Sequence, residues 1–324
     1  MAKIRTAVVG LNLGKSHAHA YRMAEHADLR YVVDLNEEAA RKLAAELDCG
    51  YASDWLAILD EVDAISICTP HHLHAEQTLK AISAGKHVLL EKPLATSRED
   101  CHKVLEAAER QGVTLMMAYP LRYMPLFRRL KEVIKSEQFG KPFNASCWIE
   151  SYLQPRPGSW FADKQTLGGG SLFSHGCHYI DLLIWLFGKP VKTAFLGTRN
   201  GTEWMEGEGT SHSTMKFEGG ALAHLVCSWG MKFASPPALF HIHTPEALIS
   251  LSGGKLEAIT AEGRSILFQN EESEEPKIGG NMLWEVNHFL ECILSGKQPE
   301  TDGHNAMLSL EAIWSMYAAD EATA

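Results

Sequence analysis

The feature that most constrains this chain is the rhythm of residues 1–118, where short β-branched runs alternate with helical patterns and a glycine turn follows the first run directly. That alternation is the pattern of a parallel sheet with helices on both faces. Ile4 to Val9, Arg30 to Val33, Ala64 to Cys68, His87 to Leu90 and Thr114 to Met117 read as strands. Glu37 to Leu47, Ala75 to Ala84 and Glu99 to Gln111 carry apolar residues at helical spacing, and Gly85 and Gly112 stop the last two.

From Gly140 the texture changes. Longer strand-like segments, Phe143 to Ser151, Thr214 to Phe217, Ala221 to Trp229 and Ala247 to Leu251, are separated by glycine-rich turns, which predicts an α+β region with an open, mainly antiparallel sheet. A helix starting near Leu172 is stopped by Phe187-Gly188-Lys189-Pro190, and two more, Trp284 to Leu294 and Ala306 to Ala319, close the chain. The length of 324 residues suits two cores better than one. The acidic stretch Glu271-Glu272-Ser273-Glu274-Glu275-Pro276 reads as a solvated loop.

Composition narrows the classes of function. Hydrophobic residues at 45% and charged residues at 22% are ordinary globular usage, so the chain should bury a large core. A formal charge of −10 with no Lys/Arg run argues against a nucleic-acid partner. The first residues lack the apolar core and cleavage site of a signal peptide, and the longest apolar run, Leu182 to Phe187, is too short to span a bilayer. Seven scattered cysteines, never spaced as CxxC, read as free thiols in a reducing compartment, which points to the cytoplasm.

Gly10-Leu11-Asn12-Leu13-Gly14 joins the first strand to a helical stretch starting near Ser16, where a dinucleotide fold turns sharply to bring backbone amides to a pyrophosphate. Asn12 stands at the second glycine of GxGxxG, and Gly14 arrives one residue early. Asp34 ends the second strand at the distance expected of an acid that binds the adenosine ribose, accepting from a free 2′-hydroxyl and repelling a 2′-phosphate, so NAD is expected and NADP disfavoured. Thr69-Pro70 and Glu91-Lys92-Pro93 follow strands of the parallel sheet, at the carboxyl ends where such sheets bind ligands.

Three blocks resemble the Gfo/Idh/MocA family, named for glucose-fructose oxidoreductase, inositol dehydrogenase and a rhizopine-catabolism protein. They are Thr69-Pro70-His71-His72-Leu73-His74, then Ala84-Gly85-Lys86-His87-Val88-Leu89-Leu90-Glu91-Lys92-Pro93, and then Gly168-Gly169-Gly170-Ser171-Leu172-Phe173-Ser174-His175-Gly176-Cys177-His178-Tyr179-Ile180-Asp181. Their order and spacing match, and the resemblance runs on to the C-terminal helices. It implies an α/β fold with an N-terminal Rossmann domain, here 1–119, and a C-terminal α+β domain, here 120–324, whose open sheet serves substrate binding and oligomerisation. It implies a nicotinamide cofactor held by Gly10, Leu11, Asn12, Leu13, Asp34, Thr69, Pro70, His74, Glu91 and Lys92. Lys92 matches the active-site lysine, His178 the catalytic histidine and Asp181 the acid that follows it. Many relatives have an aspartate four residues before the histidine, where this chain has Ser174.

Oxidising a secondary alcohol requires a hydride acceptor, a proton acceptor and a donor that stabilises the developing alkoxide. Lys92 and His178 suit the last two tasks, and Asp181 shares a helical face with His178 and can orient it. Tyr119, Arg122 and Tyr123 after the last strand of the first domain, Trp160, Ser174 and His175 are candidate walls for a small polyhydroxylated substrate, with packing the alternative for the aromatic residues and Arg122. Sixteen histidines raise a metal, since His241 and His243 share one face of a strand, but the spacing fits no compact metal motif and none is expected. The expected activity is an NAD-dependent dehydrogenase for a sugar, sugar derivative or cyclitol, in a homodimer or homotetramer. An NAD-retaining enzyme that eliminates, hydrolyses or isomerises, and a ligand-sensing regulator, are the alternatives.

Overall fold

In a computed structural model of the protein, which describes residues 3–269 and 280–321, contacts divide the chain into two compact units. The first comprises residues 1–123 with 275–307, the second residues 124–274 with 308–324. The acidic stretch Glu271 to Pro276 lies outside the described residues.

The first unit alternates β1 (Ile4–Val9), α1 (Gly14–Met23), β2 (Ala27–Val33), α2 (Glu37–Leu47), β3 (Gly50–Ala52), β4 (Ala64–Ile67), α3 (His74–Ser83), β5 (His87–Glu91), α4 (Arg98–Gln111) and β6 (Leu115–Ala118). The six strands are parallel in the order β3-β2-β1-β4-β5-β6. All of β4 and β6 is buried, as strands covered on both faces must be. The helices begin and end where their caps dictate: Asn36 accepts from the Ala39 N–H, Ser97 from the Asp100 N–H, and Gly112 closes α4 at φ +65°.

The second unit contains α5 (Pro125–Ser136), β7 (Asn144–Glu150), α6 (Lys164–Leu167) and α7 (Cys177–Phe187). It continues with β8 (Pro190–Thr198), β9 (Thr210–Phe217), β10 (Leu222–Ser228), β11 (Phe240–His243), β12 (Leu248–Ser252), β13 (Lys255–Thr260) and β14 (Gly263–Gln269). These eight strands form one sheet, β14-β13-β12-β11-β7-β10-β9-β8, antiparallel at every joint except β7 with β10. One face turns Ala145, Cys147 and Ile149 inward, and α7 packs on that side through Tyr179 against Phe240, ring centroids 6.4 Å apart. Strand alternation sends Ser146, Trp148, His241 and His243 to the opposite face.

The chain ends with α8 (Gly280–Ser295) and α9 (Gly303–Glu321). Val286, Phe289 and Leu290 of α8 enter the same core as Ala18 and Tyr21 of α1, so this late helix completes the first unit. Strands β3, β8 and β14 escape the sequence pattern because they lie at sheet edges and are short or largely exposed, with little apolar periodicity; the internal strand β13 escapes it too. Among the described residues no helix is long and apolar enough to cross a membrane.

Candidate functional site

In the first unit the strand order reverses between β2 and β4, on either side of β1, and the turn Gly10 to Leu13 leaves β1 at that point. Gly10 sits at φ +86°, and a Cβ there would lie 2.6 Å from the Cys68 carbonyl oxygen, so only glycine fits the turn. Gly14 packs close to β1 and to the residue after β4: a Cβ would fall 2.9 Å from Val8 Cγ1 and 3.2 Å from Cys68 Cβ. Although it arrives a residue early, it provides the tight helix–strand contact, and the helix starts at Gly14 rather than at Ser16. Leu13 caps α1 without a side-chain hydrogen bond and no acid stands in the first turn, which leaves the positive end of the helix for an anion.

Asp34 follows β2 and turns toward this loop. Its Oδ2 accepts from the Leu11 N–H at 2.7 Å and its Oδ1 from the Asn36 N–H at 2.9 Å. The carboxylate is therefore fixed beside the turn, where a ribose would lie. Asn12 and Leu13 are exposed there, while Leu11 is buried.

Three of the expected cofactor residues are committed within the protein. The His74 ring, fully buried, bridges the Pro93 carbonyl (Nδ1, 2.7 Å) and the Thr69 carbonyl (Nε2, 2.8 Å), and so ties the loop after β4 to the loop after β5. Burial holds its pKa below the ordinary histidine value, against the opposing effect of those two carbonyls and of Glu91. Thr69 Oγ1 donates to Gln77 Oε1 at 2.6 Å, which braces the same loop. Glu91 is buried as well, with Oε1 3.1 Å from His17 Nε2 and Oε2 accepting the Lys92 N–H at 3.2 Å. Burial pushes the Glu91 carboxyl up, but the His17 hydrogen bond together with the charges of His17, Lys92 and His74 outweighs it, and its pKa lies below the usual range. Lys92 follows at the carboxyl end of β5, half-buried.

Tyr119 and Tyr123 are buried, and Arg122 is turned inward: its Nη1 donates to the Glu300 carbonyl and to Asn305 Oδ1, each at 3.3 Å. Tyr123 Oη lies 3.0 Å from Thr301 Oγ1. The structure thus uses Arg122 and Tyr123 to hold the late segment 300–305 against the first unit, the packing alternative raised by the sequence.

In the second unit the helix expected from Leu172 begins instead as a π-helical turn, Leu172–Gly176, that runs into α7. The three glycines before it are packed: a Cβ on Gly170 would lie 2.1 Å from Glu208 Oε2, and one on Gly169 2.7 Å from Tyr317 Oη. Glu208 Oε1 accepts from the Leu172 N–H at 3.0 Å and from Tyr317 Oη at 3.1 Å. Burial raises the Glu208 carboxyl to about 7, the hydrogen bonds from Leu172 and Tyr317 opposing the rise. A π turn widens the ladder by one residue and re-aims the side chains after it. It leaves Ser174 buried, His175 and His178 half-buried, and Asp181 fully buried one turn beyond His178.

An aromatic wall adjoins this segment. Trp229 Nε1 donates to His175 Nδ1 at 3.2 Å, so the neutral His175 ring carries its proton on Nε2. Trp229 stacks on Trp204 at 6.4 Å and meets Phe161 edge-on at 5.8 Å, and Phe161 stacks on Trp160 at 4.2 Å. The sequence singled out Trp160 alone; Phe161 is its chain neighbour, while Trp204 and Trp229 come from distant segments and join it only in three dimensions. His241 and His243 lie on the sheet face opposite α7, against Trp148 and Phe143, and not with His178. Among the described residues no cluster of three or more His, Cys, Asp or Glu is arranged to hold a metal, and all seven cysteines are free.

The model described as an oxidoreductase family with an NAD-binding Rossmann fold matches residues 4–119, and the GFO/IDH/MocA C-terminal domain model matches residues 127–257. The chain is 30% identical to the 1,5-anhydro-D-fructose reductase of Ensifer adhaerens over 256 residues, 77% of this chain and 75% of that protein. It is 25% identical to the 2,7-anhydro-N-acetylneuraminate hydratase of Escherichia coli K12 over 99% of this chain and 94% of the relative. A levoglucosan dehydrogenase solved with NADH and levoglucosan shares the fold at TM-score 0.88 and 20% identity, over 99% of this chain and 98% of that one.

Proposed function

The chain belongs to the Gfo/Idh/MocA family of oxidoreductases with an NAD-binding Rossmann fold, and from that premise we propose that it oxidises or reduces a secondary alcohol carbon of a sugar, sugar derivative or cyclitol with NAD. The observation that carries the reading is the union of a dinucleotide turn with an amine at the carboxyl end of β5. Gly10 admits no side chain, Asp34 is locked to the Leu11 N–H, and Lys92 is anchored through Glu91.

The turn Gly10 to Leu13 with the N-terminus of α1 would hold the pyrophosphate and Asp34 the adenosine ribose. Thr69, Pro70 and Lys92 would line the nicotinamide end, with His74 and Glu91 shaping their loops. NAD, when bound, supplies the hydride acceptor for alcohol oxidation. Lys92 acts as the cationic donor that stabilises the developing alkoxide, and His178, oriented by Asp181, takes the hydroxyl proton. Ser174 brings no charge to His178, which is why the base role falls on the histidine itself. The wall of Trp160, Phe161, Trp204 and Trp229 beside His175 offers flat apolar faces for a sugar ring, with polar neighbours to read its hydroxyls.

The test is absorbance of NADH after mixing the protein with NAD and a panel of sugars, cyclitols and anhydrosugars, the last because relatives are named for them. Net NADH with one of these confirms the reading. The relatives named as hydratases favour a second outcome, product formed with no net NADH, and that result would move the assignment to a cofactor-retaining enzyme. Binding without any turnover overturns both.

A further inference from the structure

The helix proposed to carry the catalytic base has no cap of its own. A helix start leaves its first N–H groups without partners inside the helix, and Ser171, at the head of the π-helical turn, makes no side-chain capping bond. Groups from far along the chain take up these donors instead. The Ser171 N–H donates to the Glu208 carbonyl at 2.7 Å and the Leu172 N–H to Glu208 Oε1 at 3.0 Å. The Gly170 N–H donates to Tyr317 Oη at 3.2 Å, and that hydroxyl donates in turn to the same Glu208 Oε1 at 3.1 Å. Three successive backbone donors therefore end on one bracket, an acid between β8 and β9 and a tyrosine of α9. Helical bonding follows it, with the Ser174 N–H donating to the Gly170 carbonyl at 3.1 Å.

The bracket is seated as closely as backbone allows. A Cβ on Gly207 would fall 2.3 Å from the Gly169 carbonyl oxygen, so Gly207 joins Gly169 and Gly170 among the positions where a side chain would prise the two segments apart. The other end of the turn is tied separately. His175 Nδ1 takes the Trp229 indole N–H at 3.2 Å, and the His175 ring meets Tyr179 edge-on at 5.9 Å. With both ends held, the extra residue of the π geometry is kept between them. If the first end were released and the turn closed to α geometry, the two ends would rotate against each other by about 100°, the angle of one residue. His178 lies three residues past His175, on the helix that such a rotation would strain.

We propose that Glu208 and Tyr317 are positioning residues of the site, which by capping residues 170–172 hold the π geometry that sets where His175 and His178 stand. They act through the helix and not on the substrate. The functional part of this inference rests on the proposed role of His178.

Nitrogen-15 spectra of the tryptophan indoles read the geometry, with the Trp229 signal assigned by Trp229→Phe. Tyr317→Phe keeps the ring and its edge-on contact with Phe195, 5.3 Å between centroids, and removes only the hydroxyl. Glu208→Ala removes the side-chain acceptor, and Glu208→Gln keeps one. The Trp229 indole signal should shift in Tyr317→Phe and in Glu208→Ala and return close to its parent position in Glu208→Gln. With a confirmed substrate, Tyr317→Phe and Glu208→Ala should lower kcat by roughly 10- to 100-fold with KM and NAD affinity little changed, and Glu208→Gln should recover most of the loss. Should Glu208→Ala not fold, Tyr317→Phe decides. A Trp229 signal unmoved in Tyr317→Phe overturns the hold on the turn whatever the activity. A moved signal with unchanged kcat, in an enzyme that His178→Ala disables, overturns the positioning role and reduces the pair to packing. Near-normal turnover in His178→Ala defeats the proposed base instead, and the indole signal still decides the bracket.

Discussion

Asp34 holds the Leu11 N–H and, in the proposed function, also meets the ribose, and the two tasks can be separated. The protein is expected to bind NAD more tightly than NADP, since a 2′-phosphate beside Asp34 meets a like charge that costs several kcal/mol. Asp34→Asn keeps an acceptor for Leu11 and removes the charge, so it should narrow the preference by at least about tenfold. Direct titration with both cofactors checks this, and equal affinity for NADP in the unmodified protein removes the assignment. Lys92→Ala and His178→Ala should each reduce turnover by roughly 10²- to 10⁴-fold while NAD affinity stays close to normal. Turnover and NAD binding measured together decide it, and near-normal turnover in either variant takes that residue out of the proton path. At this scale the motifs named Lys92, His178 and Asp34 by their positions after strands and in helices.

Among the elements, the π-helical turn Leu172–Gly176 is one that the sequence pattern did not foretell. It carries the same 3.6-residue apolar spacing as an ordinary first turn, and it widens because its N-terminus is held by groups from elsewhere, Glu208 and Tyr317. The raised Glu208 pKa has a consequence for stability. The folded state favours its protonated form, so that contribution is whole below the ordinary 4.5 and is lost as pH rises through about 7. The loss amounts to at most about 3 kcal/mol. Glu208→Gln keeps an acceptor for Leu172 and cannot ionise, and its thermal unfolding should vary less between mildly acidic and mildly alkaline buffer than that of the parent. An identical pH slope in both proteins would refute the burial argument.

For the whole molecule, the outer face of the eight-stranded sheet carries Leu196, Leu222 and Ile266, exposed by 71%, 45% and 57%. Apolar residues spread over one sheet face are a self-complementary surface when two copies meet about a twofold axis. We expect a dimer or tetramer through this face, seen by light scattering, and Leu196→Glu with Ile266→Glu should weaken it. A monomer at working concentration removes the expectation and leaves the chemistry untouched. The sequence by itself determined the parallel sheet, the glycine turn with Asp34 and the Lys92 and His178 motifs, because each is written in residues near one another along the chain, where strand and helix periods and turn chemistry are local. Only the tertiary structure decided what lies behind them. The packing of α8 on α1, the His17–Glu91 pair, the inward turn of Arg122 and the assembly of Trp160, Trp204 and Trp229 each join segments far apart in sequence, and burial and partner choice belong to the packed chain rather than to any window of it.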